Sequence, residues 1–166
     1  MQAATNAPEI FKWIQDTAVG SHISDSLWLF PLIESIHVWG IVVLVSATGI
    51  LDLRLLGLTL KDQPVSKLNR TLLPWAWCGF AIMVISGTLL FSSEATKLYN
   101  NGAFLVKMCL ILLAGINALV FHTTIYQRVE KWDLAAATPV AAKLAGAFSL
   151  VLWVGVIFAG RWIAYW

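Results

Sequence analysis

Apolar residues fall along this chain in four blocks, each long enough for a helix to cross a hydrocarbon core, which takes about 20 residues. The blocks are Ile36–Leu58, Leu72–Phe91, Phe104–Tyr126 and Ala141–Trp162, broken only by isolated polar positions. An open sheet would leave unpaired backbone groups in lipid, so the pattern predicts helices. The first helix is expected to begin earlier, near Ser26, because Pro31 suits a first helical turn and Asp25 or Ser26 can cap it. Ahead of it, Ala7–Val19 sets Ile10, Phe11, Trp13, Ile14 and Ala18 between Glu9, Lys12, Gln15 and Asp16. That alternation predicts a short amphipathic helix lying on a membrane surface. With no basic start and no continuous apolar run, the first 25 residues do not read as a cleavable signal peptide. The expected fold is all-α: an integral membrane four-helix bundle (26–166) preceded by an N-terminal amphipathic surface segment (1–25).

Composition excludes a soluble enzyme. Of the 166 residues, 59% are hydrophobic and 12% charged, where soluble domains carry about 25% charged residues. A net charge of +2 leaves no nucleic-acid footprint. Seven of the 11 Lys/Arg (Arg54, Lys61, Lys67, Arg70, Arg128, Lys131, Lys143) belong to the two loops on one side, against Lys12, Lys97, Lys107 and Arg161 on the other. The positive-inside rule then puts both termini outside, in the periplasm of a Gram-negative host, as a multi-pass protein of the bacterial inner membrane. Trp28, Trp39, Trp162, Tyr165 and Trp166 fit an outer aromatic belt, and Trp75, Trp77 and Trp132 an inner one. Cys78 and Cys109 form no metal-spaced motif. The rows Ala141–Ala145–Ser149 and Ala142–Gly146 suit close helix packing.

Polar groups within spans are costly and call for partners or a function. They are Glu34, His37, Asp52, Arg54, Asn117 and His122. Asp52 and Arg54 read either as an ion-paired helix end or, for Arg54, as a holder of a cofactor carboxylate. His37 and His122 are the metal-ligand candidates, because a neutral imidazole ligates iron or copper. His37 lies 20 residues before Gly57 and His122 four before Tyr126, about 30 and 6 Å from one face at 1.5 Å per residue. They cannot ligate one iron. At the outer level His22 and Met108 are the candidate partners of His37, with Trp39 placed to pack on a porphyrin. Lys97, Lys107 and Arg161 are the cations for its propionates. At the inner level His122 has only Cys78 and Met83, with Arg54, Arg70, Arg128 and Lys143 as cations.

The run from Leu29, Leu-Phe-Pro-Leu-Ile-Glu-Ser-Ile-His-Val-Trp-Gly, continues from Gly49 as Gly-Ile-Leu-Asp-Leu-Arg-Leu-Leu-Gly. It resembles the first span of an uncharacterised bacterial family of four-helix membrane proteins. The closing Gly-Arg-Trp-Ile-Ala-Tyr from Gly160 resembles that family's last helix. More distantly, a His opening a span that ends in Leu-x-Leu-Arg-Leu is similar to copper-resistance D-like membrane domains and to the membrane protoporphyrinogen oxidase family. The latter resemblance implies that His37 binds haem b.

Together these readings lead to a membrane-embedded b-type haem protein in electron transfer, its enzymatic character undecided beyond oxidoreductase or electron-transfer component. Its surroundings are the lipid bilayer and other membrane or periplasmic redox subunits, with oligomerisation open. The alternative is a non-catalytic anchor or scaffold subunit of a larger membrane complex. Copper handling through Met83, Met108, Cys78 and the histidines, and porphyrinogen oxidation, are lesser alternatives.

Overall fold

The computed structural model describes residues 7–133 and 138–165. Every regular element among them is helical: α1 Glu9–Gln15, α2 Ala18–Asp25, α3 Leu29–Leu55, α4 Val65–Ser93, α5 Ala95–Tyr99, α6 Gly102–Val120 and α7 Val140–Trp162. Four segments are long and apolar enough to cross a membrane: Leu29–Leu55, Val65–Ser93, Gly102–Lys131 and Val140–Tyr165. Their outward side chains are mostly apolar, including Leu112, Leu119, Val151 and Phe158. That surface is expected where lipid, not water, is the solvent. The chain is a membrane protein built as a four-helix bundle.

The spans differ from the apolar blocks at their ends. α3 starts at Leu29, where the Ser26 hydroxyl accepts from the Trp28 and Leu29 amides at 3.3 and 3.2 Å, as an N-terminal cap does. Its 27 residues measure about 40 Å, more than the roughly 30 Å hydrocarbon core. α4 begins at Val65, seven residues before the expected Leu72, because Pro64 supplies a ready helix start and Val65 and Asn69 are buried against the rest of the bundle. Past Val120 the third span changes winding, with a π turn at Phe121–Ile125 and a 3-10 turn at Tyr126–Lys131. The Thr123 and Thr124 hydroxyls bond back to the Leu119 and Val120 carbonyls there, the kind of side-chain competition that disturbs a helix.

The N-terminal segment is two helices where one was expected. Thr17 ends the first by donating to the Ile14 carbonyl at 2.7 Å and opens the second by accepting from the Gly20 amide at 3.2 Å. Gly20 lets α2 touch α4, since a Cβ there would lie 2.7 Å from the Ser92 carbonyl oxygen. α1 docks on α5: Phe11 packs on Tyr99 at 4.6 Å, and the Gln15 side-chain oxygen Oε1 accepts from the Thr96 amide and hydroxyl. Residues 1–6 of the expected surface segment lie outside the described residues.

α3 is the hub, packing against α4 and α7, while α6 packs against α7. α4 and α6 make no comparable close approach. Side chains join them near both ends: Phe91 stacks on Phe104 at 5.7 Å, and His122 faces Asn69 at 3.4 Å. The α3–α4 crossing is set by Gly40 and Gly79, because a Cβ on Gly79 would lie 2.6 Å from the Leu44 nitrogen. Ala142 and Gly146 face α3 from α7, as small residues at such spacing should.

At the end carrying the basic loops, Leu55, Val65, Phe121, Val129, Trp132 and Ala142 form a buried cluster. Trp132, expected in an aromatic belt, is only 9% exposed there. Trp28, Trp39, Trp75, Trp77, Trp162 and Tyr165 are exposed; Trp166 lies outside the described residues.

Candidate functional site

Two antiparallel neighbours place the site. His37 is eight residues into α3 and Ser86 seven residues from the end of α4, so both lie about 10–12 Å from the face where the termini emerge. On α4, Gly79, Met83 and Ser86 form a buried stripe at helical spacing facing α3. The Ser86 hydroxyl donates to the Ile82 carbonyl at 2.6 Å, one turn back. Its only proton is thereby used, so toward His37 Nδ1, 2.9 Å away, Ser86 is an acceptor. His37 therefore carries its proton on Nδ1. Nε2 keeps its lone pair and makes no hydrogen bond among the described residues. Beside the ring, Gly87 leaves it room: a Cβ there would stand 3.2 Å from His37 Cε1. The Met83 carbonyl also faces the ring.

Lys107 projects across α7. Its Nζ, Cδ and Cε lie 3.6–3.7 Å from the point a Cβ on Gly160 would occupy. That glycine gives the lysine a bed. The other residues named for this level are not gathered around His37. His22 is exposed on α2, Met108 is 48% exposed on α6 and Trp39 is 68% exposed on α3.

His122 is engaged differently. Its Nδ1 donates to the Ala118 carbonyl at 2.9 Å and its Nε2 faces the Asn69 carboxamide at 3.4 Å. The Ala118 bond lies within the third span itself, only the long Nε2 contact reaches α4, and the ring packs edge-on against Phe121. Of the soft atoms named as its partners, Cys78 is exposed and Met83 buried, on different faces of α4. Among the described residues no group of three or more His, Cys, Asp or Glu is arranged to hold a bare metal ion.

Among the described residues, the two charged residues near the end of α3 are not paired with each other or with another ion. Arg54 is 3% exposed; its Nε donates to the Gln63 carbonyl at 2.9 Å and its Nη1 reaches the Thr138 hydroxyl at 3.5 Å. It pins the α3–α4 connection to the approach of α7. Asp52 is 6% exposed, and its Oδ2 has no hydrogen-bond partner among the described residues. Ser149 of α7 lies beside it, and Gly146 brings the α7 backbone against its own. Asn117 donates to the Ala145 carbonyl at 3.0 Å, locking α6 to α7.

Reading the sequence did not single out Ser86, Gly87 or Gly160. The available signal was a Ser-Gly pair interrupting the apolar run of the second span at the depth of His37, visible once the two spans are set antiparallel.

A family model described as a family of unknown function (DUF6644) matches residues 10–166. The chain belongs to that family. No curated protein and no solved structure matches it. The family spans both the N-terminal helices and the bundle, and it accords with the uncharacterised family anticipated from the first span and the closing helix. The likeness to copper-resistance D-like and protoporphyrinogen oxidase proteins rests on the quoted residues alone.

Proposed function

We propose that the chain is a membrane-embedded b-type haem protein that passes electrons, with His37 as axial ligand through Nε2. The observation that supports this is the 2.9 Å contact of His37 Nδ1 with a Ser86 hydroxyl that also reaches the Ile82 carbonyl. Histidines that ligate a metal characteristically donate their other N–H to a neighbouring acceptor, which orients the ring and raises its basicity. The Ser86 hydroxyl is such an acceptor for His37. The donor set suits a macrocycle that brings its own four nitrogens and needs one more from the protein, rather than a bare ion. When bound, the haem would supply one-electron exchange. This chain would orient the axial imidazole, leave it room at Gly87 and keep water away with the surrounding apolar helices. His122 turns its Nε2 to the Asn69 side chain of α4 and is left out of the ligand set. By the bias of its basic loops the protein belongs in a bacterial inner membrane with both termini outside.

The test is the reduced-minus-oxidised visible spectrum of the purified protein from haem-replete cells, with a pyridine haem assay. A haem b spectrum that is lost in His37→Ala and kept in His122→Ala supports the proposal. A colourless wild-type preparation, or an unchanged His37→Ala spectrum, overturns it.

One observation favours the second reading, an anchor or scaffold subunit. An open groove at the terminal face is lined by Leu27, Trp28, Pro31, Leu32 and Ser35, a place where another apolar helix can seat. That reading predicts co-purification with a second membrane protein, undisturbed by His37→Ala.

A further inference from the structure

Two grooves meet at the face where the termini emerge. One, about 450 Å³, lies on the face itself and is lined by Gln15, Ser26, Phe30, Glu94 and Lys97. The other, about 500 Å³, is the apolar groove of Trp28, Leu32 and Ser35 along the first turns of α3. Leu27 and Pro31 line both, so the two are continuous. Ser35 is six residues beyond Leu29, which takes the apolar arm about 9 Å below the face. Where the arms join, Leu27 and Trp28 are 89% and 84% exposed, apolar surface that no other part of the chain covers. The polar arm has hydrogen-bonding capacity to spare. The Ser26 hydroxyl accepts from the Trp28 and Leu29 amides and keeps its own proton for another acceptor. Gln15 spends its Oε1 on Thr96, while its Nε2 has no acceptor among the described residues. Glu94 and Lys97 face each other at 3.0 Å, and each has capacity left, since a carboxylate accepts at both oxygens and an ammonium donates three protons.

We infer that this groove binds a phospholipid whose zwitterionic head bears a primary ammonium, with one acyl chain laid along α3. The two charges of the polar arm sum to zero, one carboxylate beside one ammonium, and so match a head that carries one of each sign. The phosphodiester takes protons from Ser26, Gln15 and Lys97, and the head's ammonium donates to Glu94. A quaternary ammonium has no proton to give that carboxylate, and an anionic head leaves it facing its own sign. The apolar arm takes the chain, each methylene covered adding to the affinity. An apolar helix from another protein would fill the same arm but leave the donors of Ser26 and Gln15 covered and unsatisfied, which is costly. The site is separate from His37 and does not depend on haem.

The experiment is native mass spectrometry of the delipidated full chain in detergent, titrated with dioleoyl phosphatidylethanolamine, phosphatidylcholine and phosphatidylglycerol. Wild type is expected to hold phosphatidylethanolamine roughly three- to fivefold more tightly than the other two, the range an exposed charge contact supports. Glu94→Gln removes that preference and turns it toward phosphatidylglycerol, because Lys97 is left without its carboxylate. Ser35→Trp, which fills the apolar arm and leaves the polar one alone, weakens all three lipids and keeps their order. Circular dichroism checks that each variant is folded, and Ser35→Phe replaces the tryptophan variant should that one fail to fold. Equal binding of the three lipids by wild type, an order that survives Glu94→Gln, or full binding in Ser35→Trp each overturns the inference. So does a second membrane protein that co-purifies with wild type and is lost in Ser35→Trp, since it would assign the groove to a helix.

Discussion

A single methyl group at Gly79 tests the link between helix packing and the site. In Gly79→Ala the new Cβ would stand 2.6 Å from the Leu44 nitrogen, 2.9 Å from the Gly40 carbonyl oxygen and 3.0 Å from Leu44 Cα. Non-bonded atoms of this kind rest at about 3.5 Å or more, and all three are backbone, so no rotamer change relieves the clash. α3 and α4 must separate by about 1 Å. Overpacking of this sort costs about 1–3 kcal/mol. Ser86 lies seven residues further along α4, about 10 Å away. The same separation lengthens its 2.9 Å contact with His37 beyond hydrogen-bonding distance, adding about 1 kcal/mol. The expected total is about 2–4 kcal/mol, read as a lower midpoint in SDS titration or a lower melting temperature in detergent. Gly115→Ala is the matched control, because nothing lies within 4 Å of a Cβ there, and its stability should stay within about 0.5 kcal/mol of wild type. The ring nitrogen shifts of His37 provide a second readout, since loss of Ser86 as acceptor frees the tautomer. Equal stability of the two variants, with unchanged His37 shifts, would refute the reasoning.

Other outcomes follow from the same contacts. His122→Leu should lower stability by about 1 kcal/mol through loss of the Asn69 and Ala118 contacts while leaving any haem spectrum untouched; a changed spectrum would restore His122 as a ligand. Thr17→Ala removes the cap on α2 at about 1 kcal/mol, which hydrogen exchange should register as faster exchange of the Gly20 and Ser21 amides with the spans unaffected. Arg54→Met leaves the Gln63 carbonyl and the Thr138 hydroxyl without their donor and should cost about 2–3 kcal/mol. The α3–α4 connection then becomes easier to cut by trypsin at Lys61, while resistance equal to wild type would deny Arg54 its anchoring role.

Much of the fold was legible from apolar block length, because lipid forces every backbone group to find a partner within its own segment. Four spans and an all-helical chain follow from that constraint without any knowledge of contacts. Ends were less legible. α4 begins at Val65 because Val65 and Asn69 are buried by other elements, and the break at Thr17 depends on a cap that competes locally with helix continuation. Trp132 shows the same limit, since an aromatic near a membrane face reads as belt until a cluster of Leu55, Phe121 and Ala142 is found to enclose it.

For the site, residue type alone pointed to His37 and His122 as a costly pair needing an explanation. It could not separate them. Which nitrogen of an imidazole is free depends on what the opposing helix presents, and that is a matter of register between segments 49 residues apart for His37 and 53 for His122. Ser86 on the opposing helix faces Nδ1 of one ring; the other gives its Nδ1 proton to Ala118 within its own span and turns Nε2 to Asn69. Helix count and composition were thus written in the linear order of apolar residues, whereas the chemistry of each histidine was decided by its neighbours, since hydrogen bonds depend on distances that only packing sets.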